Sequence, residues 1–303
     1  MVNVKKEFGE NPYELQNILK YWVRSKNDDL KVIPTDSIVM KVDKEAVRRS
    51  GMMIPGDSIP DYMHISLKGK RALYKSELMM LEMLAEANWE RPIYMAVSVG
   101  TENHLGMGNH FVQEGLTYRF TPFDTEKTGV KLDSEKMYDN LMNKFKFGGI
   151  DKEGIYIDEN AMRMCYSHRR IFSQLIGQLI REGKTDKAKA ALEYAEKMIP
   201  AYNVPYDWQN GAMQMAEAYY QLGEKEKGDN IMKALADKAV EYLTWYLSLD
   251  DQRFAMSSHE VVDYQLPILS TEVKLMQKYN SELAPVYDSK LNELYQMCVD
   301  RMK

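Results

Sequence analysis

Apolar residues in the first half of the chain follow two different spacings. Helical spacing occurs in "YELQNILKYWVRS", where Leu15, Ile18, Leu19 and Trp22 fall on one face. Alternating or short apolar runs occur in "DSIVMKV", "YMHISL" and "LTYRFTPF", which is typical of strands. Residues from about 10 to 150 are therefore predicted to form a mixed α/β domain with three to five strands.

One junction in this domain is strongly apolar. The segment "YKSELMMLEMLAEA" places apolar residues on most faces of a helix, which predicts a helix buried against a sheet. The following segment "NWERPIYMAVSVG" contains Pro92, which suits the start or edge of a strand. Its continuous apolar run predicts a strand covered on both faces and ended by Gly100.

The second half of the chain has helical spacing only, and two of its segments correspond. Each reads as a helix, a glycine, a charged turn and a second helix, and Gly183 and Gly223 stand 40 residues apart. Small residues at the following positions allow two helices to pack closely, which is typical of tetratricopeptide units. The first segment carries Gly183, Ala188, Leu192, Ala195 and Pro200, and the second carries Gly223, Gly228, Met232 and Leu235.

The sequence therefore predicts an α+β protein. A mixed α/β platform domain at residues 1–155 is followed by an all-α, tetratricopeptide-like helical-repeat domain at residues 156–303. A chain of 303 residues is long enough for two domains that each bury a core.

Composition excludes several classes of protein. Hydrophobic residues make up 45% and charged residues 28%, which is typical of a folded, soluble chain. The net charge of -5 and the lack of a basic block argue against a nucleic-acid partner. No segment approaches the roughly 18 consecutive apolar residues of a membrane span. Cys165 and Cys298 are too few and too far apart for a zinc site, and we expect neither a metal nor a cofactor.

A glycine-containing loop at residues 100–115 is the first candidate for chemistry. Gly106 and Gly108 follow a predicted strand, as in phosphate-binding loops, but no third glycine follows at the required spacing. His104 and His110 are possible metal ligands, although their spacing of six does not match a helical ligand pair. A structural turn with polar histidines is the alternative interpretation, and no residue is assigned as catalytic.

Two groups of residues in the helical half are candidates for binding. Arg163, His168 and Arg170 lie in "RMCYSHRR" and could meet an acidic partner or a phosphorylated carbohydrate. Tyr206, Asp207 and Trp208 lie in "PYDWQNG", which combines flat aromatic rings with hydrogen-bonding groups, as sugar-binding sites do. The alternatives are a solvated helix face and an aromatic helix entrance that packs on its neighbour.

Several of these segments also carry a family resemblance. The runs "NWERPIYMAVSVG", "LGMGNHFVQEGLTYRFTPF" and "IYIDENAMRMCYSHRRIFSQLIGQLIREGKTDKA" resemble the C-terminal, extracytoplasmic region of large bacterial multi-spanning membrane proteins. The hydrophobic N-terminal half of those proteins is similar to membrane glycosyltransferases of the protein O-mannosyltransferase type. The resemblance covers nearly the whole chain, but the matching residues have no chemical role of their own.

The resemblance implies a function and a location. It implies a non-catalytic, soluble domain on the periplasmic side of the inner membrane, with the catalytic machinery in the membrane-embedded N-terminal half of the same protein. The expected partners are that half and an acceptor polypeptide, a glycan or a partner protein. Two alternatives remain open: an autonomous enzyme with a ligand site at the 100–115 loop, and an envelope scaffold protein.

Overall fold

An α+β first unit precedes a helical second unit in the computed structural model, which describes residues 11–54 and 58–303. The first compact unit ends at Met137, and the second comprises Tyr138–Lys303. Within the described residues, every strand lies in the first unit. The predicted α+β class is confirmed at this level.

Five short strands form two antiparallel sheets in the first unit. One sheet pairs β1 with β2, in a register that sets Val39 opposite His64. The other sheet has the order β3-β5-β4, so β5 is the central strand. The strands are β1 (Ser37–Lys41), β2 (Tyr62–Ser66), β3 (Tyr94–Ala96), β4 (Phe111–Gln113) and β5 (Thr117–Phe120).

Short helices accompany these strands along the chain, and two of them begin at an aspartate cap. The Asp43 carboxylate accepts a hydrogen bond from the Ala46 amide at 2.9 Å, and this contact fixes the start of the helix Lys44–Arg49. The helices are α1 (Leu15–Asn17, continued by a π-helical turn at Ile18–Val23), α2 (Lys44–Arg49), α3 (Lys75–Ala87), α4 (Thr125–Thr128) and α5 (Ser134–Asp139, continued by a π-helical turn at Asn140–Lys144). The apolar residues of α1, α2 and α3 and those of both sheets form one core.

Trp89 connects the end of α3 to both sheets. The backbone turns at Asn88 and Trp89, which both have positive φ angles. The buried Trp89 ring stacks on Phe120 of β5, with 5.4 Å between ring centroids. Its indole Nε1 donates a hydrogen bond to the Lys41 carbonyl of β1 at 2.7 Å. The junction that stands out in the sequence is thus a packing centre of the first unit.

The predicted burial of this junction was too extensive. β3 has only three residues, lies at the edge of its sheet and leaves Tyr94 48% exposed, so it is not covered on both faces. Met79 and Met83 of α3 are also exposed, whereas Leu81 and Leu84 are buried. The apolar pattern was misleading because methionine and tyrosine are counted as apolar but tolerate contact with water.

The second unit consists of helices joined by short turns. The helices are α6 (Glu159–Arg181), α7 (Thr185–Met198), α8 (Ala212–Gln221), α9 (Lys225–Ser248), α10 (Asp251–His259), α11 (Leu266–Lys278) and α12 (Ala284–Met302). α6 packs on α7 and α8, and α8 packs on α9. α9 also contacts α10, α11 and α12, and α11 packs on α12. A π-helical turn at Glu260–Gln265 joins α10 to α11.

The turns after α6 and α8 have the same hydrogen-bond pattern. The Gly183 amide bonds to the Ile180 carbonyl, and the Gly223 amide, 40 residues later, bonds to the Tyr220 carbonyl. The next amide in each turn bonds five residues back, from Lys184 to Leu179 and from Glu224 to Tyr219. Both glycines have positive φ angles, near +71° and +78°, which end a helix without steric cost. The sequence correspondence is therefore also a correspondence in backbone geometry.

Gly228 explains the need for a small residue in the second segment. A Cβ atom at this position would lie 2.7 Å from the Tyr220 ring. The Tyr220 hydroxyl donates to Asp229 at 2.7 Å, and Ser281 donates to the same carboxylate at 2.5 Å. The close packing of α8 on α9 is thus linked by hydrogen bonds to the turn that precedes α12.

Candidate functional site

The N-terminal part of α6 presents polar and aromatic residues on one face. Arg163, Tyr166, Ser167 and Arg170 follow the spacing i, i+3, i+4 and i+7, so their side chains lie on one side of the helix over two turns. The Asp158 carboxylate caps the helix through the amides of Asn160 and Ala161. This face forms one wall of a cleft.

The loop at residues 205–211 forms the second wall, and Arg169 holds it in place. The buried Arg169 guanidinium donates to the carbonyls of Ile199, Val204 and Pro205 at 2.9, 2.6 and 3.0 Å. Burial lowers the pKa of Arg169, although nearby acidic and phenolic groups partly offset this effect. The Asp207 carboxylate caps the short helical turn Trp208–Asn210. The backbone of the loop is therefore fixed before any ligand arrives.

Gly211 brings the end of this loop close to α6. A Cβ atom there would lie 2.4 Å from the Ser173 hydroxyl and 3.0 Å from the Arg170 Cα. The φ angle of +83° is also unfavourable for any other residue. Only glycine allows the loop and α6 to meet in this way.

α9 and the π-helical turn complete the cleft. Tyr242 and Tyr246 lie one turn apart on α9, and Gln265 ends the π-helical turn. The cleft has a volume of about 550 Å³, within the range of small-ligand sites. Its lining residues combine aromatic rings, amides and both signs of charge: Arg163, Tyr166, Ser167, Arg170, Asp207, Trp208, Gln209, Asn210, Tyr242, Tyr246 and Gln265.

A salt bridge lies at the inner end of the cleft. Lys238 Nζ lies 2.7 Å from Asp207 Oδ2, and both side chains are partly buried. Burial lowers the pKa of Lys238, but the hydrogen bond and charge of Asp207 outweigh this effect, so the pKa is raised overall. Lys238 is therefore charged at neutral pH and fixes the orientation of the Asp207 carboxylate.

Positive charge lies at the exposed side of the cleft, where Arg163 and Arg170 are found. Arg163 pairs with Glu159 one turn earlier on α6. No described residue accepts a hydrogen bond from the Arg170 guanidinium, which is exposed. Arg170 is thus available for a hydrogen-bond acceptor or an anionic group.

The structure brings together four of the six predicted binding residues: Arg163, Arg170, Asp207 and Trp208. The other two, His168 and Tyr206, make contacts elsewhere. His168 packs edge-on against Phe145 and Phe147. The Tyr206 hydroxyl donates to Glu196 at 3.0 Å, and burial raises its pKa.

Several lining residues were not predicted, among them Tyr166, Tyr242, Tyr246 and Gln265. The tyrosines were passed over because an aromatic residue on a helix is more often part of a core. One signal was available: Lys238, Tyr242 and Tyr246 are spaced four residues apart, so they share a helical face that combines charge with aromatic rings.

The two candidate histidines of the 100–115 loop are buried beside aromatic rings. His104 is buried against Phe111 and Tyr118, with ring centroids 5.1 and 6.4 Å apart. His110 is buried near Phe120, and burial lowers its pKa. Within residues 11–54 and 58–303, no group of three metal-ligating side chains comes together.

The two glycines of this loop differ in their surroundings. Gly106 has a φ angle of +68°, and a Cβ atom there would lie 2.2 Å from the Ser66 carbonyl of β2. Gly108 opens the helical turn Gly108–His110, and a Cβ atom would meet only His104, at 3.8 Å. Gly106 is needed for close packing of the loop on β2.

Gly106→Ala is expected to destabilise the first unit more than Gly69→Ala. Both glycines have positive φ angles, so each substitution adds strain of about 1 kcal/mol. Only Gly106 also meets a carbonyl, since no atom of the described residues lies within 4 Å of a Cβ atom at Gly69. This clash should add roughly 1–3 kcal/mol. Urea unfolding of the two variants measures the difference, and equal losses would contradict the described loop packing.

The comparisons with known proteins concern mainly the first unit. A family model described as TMEM260-associated domain 2 matches residues 1–140. Residues 1–140 are similar to a domain associated with a membrane protein. The match ends close to Met137, where the first compact unit ends. No curated protein and no solved structure matches the chain significantly.

This similarity supports the coarse part of the predicted function. A domain associated with a membrane-protein family fits the expectation of an extramembrane part of a larger membrane protein. Among the described residues, no helix is both long and apolar enough to span a bilayer.

Proposed function

We propose that this chain is a non-catalytic, extracytoplasmic part of a membrane glycosyltransferase-like protein and that its helical region binds a glycan. The family match supports association with a membrane protein. The glycosyltransferase activity would reside in a membrane-embedded half, and the chain would lie on the periplasmic side. The resemblance of the segments quoted above supports both parts of this proposal.

The helical region is proposed to be of the tetratricopeptide type. Its support is the pair of turns at Gly183 and Gly223, which share hydrogen bonds and φ angles at a spacing of 40 residues. Helical repeats of this type commonly present a binding face built from successive helices. The cleft of the second unit lies on α6, α9 and the loop between α7 and α8.

The composition of the cleft is the observation that carries the glycan assignment. Trp208 and Tyr242 are 40% and 43% exposed, so their rings are available to a ligand. Around them lie amides, a carboxylate and guanidinium groups, which match the many hydroxyls of a sugar. A flat sugar face and an aromatic ring bury apolar area against each other, while the polar groups fix orientation.

Tyr242→Ala should weaken glycan binding by about five- to thirtyfold, because a lost aromatic contact is worth about 1–2 kcal/mol. Tyr295→Ala is the matched control: Tyr295 is an exposed helical tyrosine on α12 that does not line the cleft. Binding of a panel of neutral and acidic oligosaccharides to the full chain, followed by calorimetry, measures both effects.

The panel also separates the alternatives. Binding of an acidic polypeptide with no binding of oligosaccharides would replace the glycan proposal by the acceptor-polypeptide one. Equal losses in Tyr242→Ala and Tyr295→Ala would place the binding site outside the cleft. Turnover of a glycan by the isolated chain would contradict a non-catalytic role.

A further inference from the structure

A small side chamber adjoins the cleft at Glu272 of α11. The chamber has a volume of about 40 Å³. Four of its lining residues also line the cleft: Asp207, Trp208, Tyr242 and Gln265. The remaining lining residues are Leu235, Lys238, Ala239, Ile268 and Glu272. The chamber is therefore an inward extension of the proposed binding site.

Glu272 is an unusual residue for such a position. Its side chain is only 1% exposed, and neither carboxyl oxygen has a hydrogen-bond partner among the described residues. A buried polar group without a partner costs about 1–3 kcal/mol. A carboxyl kept in this state within a chamber wall is available to a group that enters from the cleft.

The charges around Glu272 favour a neutral guest. Lys238 and Asp207 face the same chamber but neutralise each other at 2.7 Å. Tyr242 of α9 lines the chamber, and Tyr287 of α12 lies close enough to feel the charge of Glu272. Burial, with a smaller effect from the Asp207 charge, raises the pKa of Glu272 to about 8. At neutral pH the carboxyl therefore carries its proton.

We propose that the chamber receives one hydroxyl-bearing group of the glycan and that Glu272 holds it through a pair of hydrogen bonds. A protonated carboxyl has one donor and one acceptor, and so does a hydroxyl. The volume matches one such group, since a water molecule occupies about 30 Å³ in the liquid. The inference rests on the proposed glycan function and adds a residue that selects the ligand.

The test compares the effect of removing one ligand hydroxyl in the presence and in the absence of the Glu272 side chain. The full chain is titrated with methyl glucopyranoside, mannopyranoside and galactopyranoside, and then with the monodeoxy forms of the tightest binder, by saturation-transfer NMR. In the wild-type protein, loss of one particular hydroxyl should weaken binding at least about tenfold. In Glu272→Ala, loss of the same hydroxyl should change binding by less than about twofold, because its partner is already gone.

Glu272→Gln provides the matched control. The amide keeps a donor and an acceptor, so binding and hydroxyl selection should persist within about threefold. Wild-type affinity should decline above pH 8, because an ionised Glu272 carboxylate can no longer donate a hydrogen bond. This decline should be absent in Glu272→Gln. A merely structural carboxyl would not produce this difference in the pH profile.

The outcomes distinguish this inference from the proposed function. Hexoside binding with the same deoxy pattern in wild type and Glu272→Ala overturns the role of Glu272 and leaves the glycan function standing. Failure of every hexoside to bind the wild-type chain overturns both.

Discussion

Arg169→Met is expected to destabilise the second unit by about 3–5 kcal/mol. The substitution removes the donor that serves three backbone carbonyls, at Ile199, Val204 and Pro205. The Ile199 and Val204 carbonyls lose this donor, whereas the Pro205 carbonyl keeps a long contact from Asn210 Nδ2 at 3.5 Å. Each buried carbonyl left without a partner costs about 1–3 kcal/mol. The change also removes one of the positive charges near Glu196, and Lys227 remains. Thermal and urea unfolding of the full chain measure the loss.

Arg163→Met is the matched control for this experiment. It lies on the same helix and is exposed, and Glu159 is its only salt-bridge partner in the described part of the chain. Its loss should therefore change stability by less than about 0.5 kcal/mol. Arg169→Lys covers the case in which the Met variant does not fold. One ammonium cannot reproduce the planar fork of donors, so an intermediate loss is expected.

The contacts of Arg169 also predict an effect on glycan binding. Because Arg169 fixes the loop that carries Asp207 and Trp208, Arg169→Lys should weaken glycan binding by more than Arg163→Lys. Unchanged stability of Arg169→Met would show that the three carbonyls have other partners.

Glu272→Gln should stabilise the second unit, and the gain should grow with pH. Glu272 has a pKa of about 8 in the folded chain, against an ordinary value of 4.5. Between these two values the folded state holds a proton that the unfolded state has released. The stability of the wild-type protein therefore falls as pH rises through this window, by up to about 1.4 kcal/mol per pH unit.

The gain in the free energy of unfolding of Glu272→Gln depends on the interval between the unfolded-state and folded-state pKa values of Glu272. Below pH 4.5 both states are protonated and the two proteins should have similar stability. Above pH 8 the ionisation penalty on the wild-type protein is complete, and the gain should approach roughly 4–5 kcal/mol. Glutamine does not titrate, so other groups contribute equally to both proteins. Calorimetric melts at several pH values test this, and a pH-independent difference would show that Glu272 is ionised in the folded state.

Local patterns were sufficient for much of the fold. The strands β1, β2 and β5 lie where short-range patterns predicted them. The glycines at positions 183 and 223 also end their helices as predicted, since a positive φ angle strongly favours glycine. Depth of burial was less predictable, as Met79 and Tyr94 demonstrate, because it depends on residues far away in the chain.

The cleft could be predicted only in part. Arg163 and Arg170 stand seven residues apart on one helix, and Asp207 and Trp208 lie in a short loop, so each pair was visible in the sequence. The contact between them depends on Arg169 and Gly211, whose partners are distant in sequence. Glu272 stands in "STEVKL", which is typical of a solvated face. Its burial results from packing that no local pattern contains.

The two equivalent turns have an evolutionary consequence. The segment between Gly183 and Gly223 begins and ends in the same backbone geometry. An in-frame tandem duplication of these forty positions would join two ends that already match, so no new junction would have to be selected. Homologous genes are therefore expected to differ in length here by whole multiples of this segment rather than by arbitrary insertions.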